Sequence, residues 1–157
     1  KFPMAINNFA TIAEMKKSVG SVLGTSTWTT IDQDRINKFA DATGDHQWIH
    51  VDVERAQKEL PIKSTIAHGY LTLSLIPMMN YEIYQVESVV HAVNYGGNKL
   101  RFLNMVPAGS KVRGHLTLKS VEEHKSGGHQ VIAEVSVEID GQERPALIAE
   151  TMAVLYE

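Results

Sequence analysis

The stretch Gly69-Tyr-Leu-Thr-Leu-Ser-Leu-Ile-Pro-Met-Met-Asn-Tyr-Glu-Ile-Tyr84 is apolar on nearly all sides. A helix lying on a core shows a polar face and an apolar stripe; one without a polar face is a helix enclosed by protein. Its most apolar part, Tyr70 to Met79, is too short to span a bilayer and is interrupted by Pro77, so it reads as buried core. Something must surround it. From Ser88 the chain turns to β character: "SVVHAVNY", "KVRGHLTLKSVEEHK", "HQVIAEVSVEI" and "RPALIAETMAVLY" are rich in valine, leucine and threonine and alternate over parts of their length. Gly96-Gly97, Ala108-Gly109, Gly127-Gly128 and Asp140-Gly141 read as short turns between them, a spacing that suits antiparallel hairpins rather than parallel crossovers. The expected architecture is α+β, with an antiparallel sheet wrapped around a central helix over about 69–84.

Upstream, Phe9, Ile12, Ala13 and Met15 recur at helical spacing behind Asn7 and Asn8, predicting a short capped helix that ends near Gly20. "STWTTI", Ser26 to Ile31, predicts a short strand. Asp32 or Asp34 can cap a helix over 33–42, with Ile36, Phe39 and Ala40 on its inner face and Gly44 placed to end it. A second short helix, Val53 to Leu60, leads into "PIKSTIAHG", a loop bounded by Pro61 and Gly69.

At 157 residues the chain fits one domain, 1–157, and no repeat or linker-like tract divides it. A net charge of -3 gives no general pull toward nucleic acid or an anionic membrane. The absence of cysteine excludes disulfides, thiolate metal sites and a cysteine nucleophile. "KFPMAINNFATIAEMKK" has no apolar segment followed by a small-residue cleavage site, so the default expectation is a cytoplasmic protein. The sequence has no P-loop, no Gly-x-Ser-x-Gly elbow and no dinucleotide fingerprint.

Chemistry concentrates in "TGDHQWIH", Thr43 to His50. Gly44, Trp48 and the β-branched Ile49 argue for a loop, and a loop can turn Asp45 and His50 toward one point. A carboxylate and an imidazole converging on one water can move a proton and orient the water. Equally, an aspartate after a helix-ending glycine serves as a turn residue, and a lone histidine as a hydrogen-bonded structural group. His46 and His50 are four apart, as in a metal site, but a catalytic site would need a third ligand, His68 or Asp52. Gly69, at the entrance to the buried helix, leaves backbone N–H groups free to receive a developing oxyanion and permits close approach. The alternative is that Gly69 only allows tight packing.

Together, "FADATGDHQWIHVDVERA" and "TIAHGYLTLSLIP" resemble the MaoC-like (R)-specific enoyl-CoA hydratases of the hot-dog superfamily, over roughly residues 25–80, and "NKLRFLNMVPAGSKVRG" extends the likeness. The family's motif (Gly-Asp, any residue, usually Asn-Pro, an aliphatic residue, His) falls on Gly44 to His50, with Gln47-Trp48 in place of Asn-Pro. That variant is similar to the nodulation-protein-N-like branch. The resemblance implies a hot-dog fold, a homodimer, and an acyl-CoA substrate in a tunnel near the subunit interface. It implies hydration of trans-2-enoyl-CoA to (R)-3-hydroxyacyl-CoA, with Asp45 and His50 catalytic, the Gly69 N–H on the thioester oxygen and Gln47 among the substrate-binding residues. No metal or redox cofactor is implied, since CoA belongs to the substrate. Two other functions suit the same scaffold: an acyl-CoA thioesterase, and a non-catalytic acyl-CoA or acyl-carrier binding module.

Overall fold

The computed structural model describes residues 7–157; the first six positions of the domain expected over 1–157 lie outside them. The chain opens with strand β1 (Asn7–Phe9) and a short helix α1 (Ile12–Lys16), followed by β2 (Val22–Thr25) and β3 (Thr29–Ile31). Thr11, not an asparagine, caps α1: its side chain accepts the Glu14 N–H, while Asn7 and Asn8 belong to the strand. The helix expected after Asp32 forms as α2 (Gln33–Thr43), and α3 (Trp48–Val51) and α4 (Val53–Glu59) follow it. The central segment forms α5 (Gly69–Ser74) and α6 (Ile76–Ile83), and four more strands complete the chain: β4 (Tyr84–Val86), β5 (His91–Phe102), β6 (Ser110–Glu123), β7 (His129–Ile139) and β8 (Leu147–Tyr156).

The central helix is thus one path with a break at Leu75. Pro77 has no N–H for the carbonyl four residues back, and its ring crowds that carbonyl. The Leu75 N–H adapts by reaching two carbonyls, Leu71 and Thr72, each at 3.2 Å.

A six-stranded sheet runs β2-β6-β7-β8-β5, with β3 on the same side of β6 as β2; every pairing in it is antiparallel. β1 and β4 pair in parallel as a separate two-stranded ribbon. Along β6 the residues Val112, Leu116 and Leu118 are buried, as are Val131, Ala133, Val135, Val137 and Ile139 on β7, so one face of the sheet meets α5 and α6. Gly114 allows the helix to lie close: a Cβ there would stand 2.9 Å from the Met79 sulfur. This is the α+β, hot-dog arrangement anticipated above. The helix is covered mainly on its sheet side, where Ile76, Met79 and Ile83 are at most 2% exposed; Tyr70 and Tyr81 are 66% and 59% exposed. The enclosure expected on all sides is therefore incomplete in a single chain.

Gly96-Gly97 is not a turn. Both glycines lie inside β5, at a register shift against β8 between Asn94 and Gly96, and β5 continues to Phe102. Gly127 and Gly141, with φ of 94° and 79°, do sit in the turns before β7 and after it. Among the described residues no helix is long and apolar enough to cross a membrane.

Candidate active site

α2 delivers the first functional residue. Its N-terminus is capped by the Asp32 carboxylate, which accepts the Arg35 N–H at 2.9 Å. Its C-terminus is Gly44, whose φ of 83° is the left-handed conformation that glycine adopts without strain; the Gly44 N–H donates to the Ala40 carbonyl at 2.8 Å. Asp45 follows at once. Its Oδ1 accepts the Gln47 N–H at 3.3 Å and its own N–H donates to Thr43 Oγ1 at 3.3 Å. Asp45 is thus a turn residue, and its exposed carboxylate still presents a second oxygen.

Two residues further on, the expectation of a loop is corrected: Trp48–Val51 is a single helical turn. Trp48 and Ile49 are weak helix formers, but tertiary contacts override that preference. Arg55 lies over the Trp48 ring at 3.9 Å, and His50 is buried to 6% exposure. Gln33 clips the turn to α2, donating to the His50 carbonyl at 2.7 Å while its own oxygen accepts the Thr65 hydroxyl at 2.5 Å. The Ile66 N–H donates to the Ile49 carbonyl at 3.0 Å, and Ala67 N–H to the Val106 carbonyl at 2.8 Å.

His50 Nδ1 donates to the Ile66 carbonyl at 2.7 Å, which leaves Nε2 as the lone-pair nitrogen. Burial pushes the His50 imidazole below its ordinary value; the Ile66 carbonyl works against this, and His68 adds to the lowering. The ring is therefore a neutral acceptor at neutral pH.

His68, 2% exposed, stacks on His50 with ring centroids 3.8 Å apart and planes 22° apart. Its Nε2–H donates to the Asp45 backbone carbonyl at 3.0 Å. One ligating atom from each of Asp45, His50 and His68 lies within 4.8 Å of the other two. Among the described residues this trio is the set that could hold a metal. Lone pairs of imidazoles lie in the ring planes, and two nearly parallel stacked planes do not meet at bonding distance from both rings. The geometry suits proton chemistry better than ligation. The other ligands considered in the sequence are elsewhere: Asp52 caps α4, and His46 pairs with Asp41 at 2.9 Å on the surface, a bond that raises its pKa.

Beside the trio is a cavity of about 360 Å³, lined by His50, Gly69 and Thr72 with apolar walls that include Ile66, Phe102 and Leu147. Gly69 stands at the start of α5, and its N–H has no acceptor among the described residues. A Cβ on Gly69 would come within 2.9 Å of the Phe102 ring, so close packing and close approach are both served by this glycine. Gln47 is exposed beside Asp45; neither residue is part of the cavity wall.

The structure thus places His50 and Gly69 on one cavity wall, brings Asp45 within reach of His50 beside it, and leaves His46 outside. Sequence reasoning missed Thr72, whose buried hydroxyl has no partner, and considered His68 only as a metal ligand. The one available signal for His68 was its position immediately before Gly69.

Residues 14–140 match the family model described as MaoC like domain. The chain is 45% identical over 147 residues to 3-hydroxyacyl-thioester dehydratase Z of Mycobacterium tuberculosis (strain ATCC 25618 / H37Rv), across 94% of this chain and 97% of that protein. It is 41% identical over 145 residues to nodulation protein N of Rhizobium leguminosarum bv. viciae, across 92% and 90% of the two chains. Among solved structures it is similar to the R-hydratase PhaJ1 from Pseudomonas aeruginosa, with a TM-score of 0.74 at 21% identity over 95% and 87% of the two chains, a likeness of fold.

Proposed function

The chain belongs to the MaoC-like family, and from that premise we propose that it is a hydro-lyase that reversibly hydrates trans-2-enoyl-CoA to (R)-3-hydroxyacyl-CoA. The observation that carries the proposal is the convergence of an Asp45 carboxylate and a neutral, buried His50 within 4.8 Å, beside a cavity that reaches the Gly69 N–H.

A water between the two side chains donates one hydrogen bond to Asp45 and one to the lone pair of His50 Nε2. Asp45 takes the proton as the water oxygen bonds to the β-carbon, and the thioester oxygen gains enolate character. The Gly69 N–H meets that charge; a donor aimed in this way contributes about 3 kcal/mol to lowering the barrier. Asp45 then returns the proton to the α-carbon on the same face, so one water is added and no charge is left behind. Dehydration runs the same steps backward. The thioester itself acidifies the α-position, so the reaction needs neither a metal nor a redox group. Gln47, exposed next to Asp45, is assigned to the outer part of the substrate. The apolar wall of the cavity takes the acyl chain; its volume in one chain, about 360 Å³, is at the small end of ligand pockets.

A second copy of the chain completes the site in this proposal. β5 is the last strand of the sheet, its outer edge is unpaired among the described residues, and Val93, Tyr95 and Phe102 are 52%, 52% and 47% exposed. An unprotected edge of this length and apolarity invites pairing. Phe102 also lines the cavity, so a partner packed on β5 would shape the acyl tunnel. The CoA-thioester substrate sets the proposed location in the cytoplasm.

The test is to incubate the purified protein with crotonyl-CoA and longer trans-2-enoyl-CoA thioesters. Loss of the enoyl absorbance with formation of the (R)-3-hydroxyacyl product is expected. Release of free CoA would make it a thioesterase, and tight binding without product a binding module.

A further inference from the structure

We propose that His68 is the positioning residue of this site, fixing the Asp45 backbone through Nε2–H and the His50 ring through its face. The inference rests on the hydratase proposal for its chemistry and on geometry for its placement.

Two constraints define the His50 ring. The bond from Nδ1 to the Ile66 carbonyl, 2.7 Å, sets its rotation within the ring plane. The stacked His68 ring, 3.8 Å away and tilted by 22°, sets the plane itself. The Asp45 side is held by the 3.0 Å bond from His68 Nε2–H to the Asp45 carbonyl, which spans 23 residues of sequence. His68 is also the residue before Gly69, in the N-cap position of α5. A single side chain therefore ties the proton-transfer loop and the water-holding histidine to the helix end that carries the oxyanion donor.

A core-filling role does not explain an imidazole here. Its remaining nitrogen, Nδ1, is buried without a hydrogen-bond partner, and an unpaired buried acceptor costs stability. Phe39 already packs against the ring at 4.9 Å, so an aromatic hydrocarbon would fill the same space without that cost. What a hydrocarbon lacks is the N–H on the Asp45 carbonyl. The Asp45 carbonyl accepts only from an N–H, so its 3.0 Å contact fixes a hydrogen on His68 Nε2.

The experiment compares His68→Phe, which keeps a ring against His50 and loses the donor, with His68→Gln, whose Nε2 keeps a donor at similar reach and loses the ring. Circular dichroism and thermal melting establish that each variant is folded. For enoyl-CoA hydration, His68→Phe is expected to lower kcat roughly 100-fold, the size of a loss caused by small misplacement of reacting groups, with KM within about threefold. His68→Gln should recover most of that kcat. Without substrate, ring-nitrogen NMR should show a hydrogen on His68 Nε2, and His68→Phe should shift the Asp45 backbone resonances. A wild-type kcat in His68→Phe, or equal losses in both variants matched by equal falls in melting temperature, would overturn the assignment while leaving the hydratase proposal intact. Wild-type protein that hydrates no enoyl-CoA would instead refute that proposal, and NMR showing no hydrogen on His68 Nε2 would refute the positioning geometry by itself.

Discussion

Gly69→Ala separates activity from stability. The substitution adds a methyl whose carbon would stand 2.9 Å from two atoms of the Phe102 ring and 3.2 Å from a third. No carbon pair tolerates that distance, so something must move, and the Phe102 ring, a side chain rather than backbone, is what gives way. Gly69 is not among the glycines with positive φ, so alanine meets no backbone strain there. Replacing a helical glycine by alanine otherwise stabilises by about 0.5–1 kcal/mol, an amount that offsets the displaced ring. The melting temperature should therefore change little. The cavity is where the effect falls, because the methyl and the shifted ring stand where the thioester oxygen must approach the N–H. A misplacement of about 1 Å costs roughly 100-fold in rate, equivalent to about 2.7 kcal/mol. Steady-state hydration of crotonyl-CoA, read beside a thermal melt, measures both quantities. A folded Gly69→Ala enzyme with kcat/KM within about threefold of wild type would refute the oxyanion role, since losing such a donor costs about 10²–10³.

Two further outcomes follow from buried groups. His50 is held below its ordinary value of 6.5 mainly by burial. As pH falls through that value the unfolded chain takes up the His50 proton first; the stability present above it is lost toward the lower folded value. The acid limb of kcat/KM should likewise lie below pH 6.5, and a limb well above it would contradict the neutral acceptor. Thr72, 2% exposed with an unpaired hydroxyl, should accept valine with a gain of about 1 kcal/mol in a denaturant titration, and a comparable loss would reveal a partner for the hydroxyl.

The parts of the fold that were legible in sequence are those whose signals are local. Asp32 and Gly44 bound α2 as their capping chemistry requires, and β6 to β8 carry enough alternation for their buried face to be read directly. β5 was harder because the edge strand is exposed along nearly its whole length and so has no buried face to write a period into the sequence. Its glycine pair answers to neighbours on β8 rather than to a turn: a Cβ on Gly96 would meet the Met152 methyl at 2.9 Å, and one on Gly97 the Glu150 carbonyl at 3.4 Å. The single turn at Trp48–Val51 depends on Gln33, Arg55 and the segment near Ile66, all distant in sequence, and local propensity opposes it. At the site, Asp45, His50 and Gly69 could be proposed from residue type and order. The role of His68 could not, because it consists of a ring stack and one hydrogen bond that exist only once two distant segments meet.

The central claim is that Asp45 carries the proton between water and the α-carbon. Asp45→Asn keeps an oxygen to accept the Gln47 N–H, and the side chain is exposed, so the turn and the fold should survive. Assayed for hydration of trans-2-enoyl-CoA alongside wild type, the folded variant should lose about 10²–10⁴ of kcat, the range for removing a positioned acid/base group. A folded Asp45→Asn protein that forms the (R)-3-hydroxyacyl product at the wild-type rate would contradict the account.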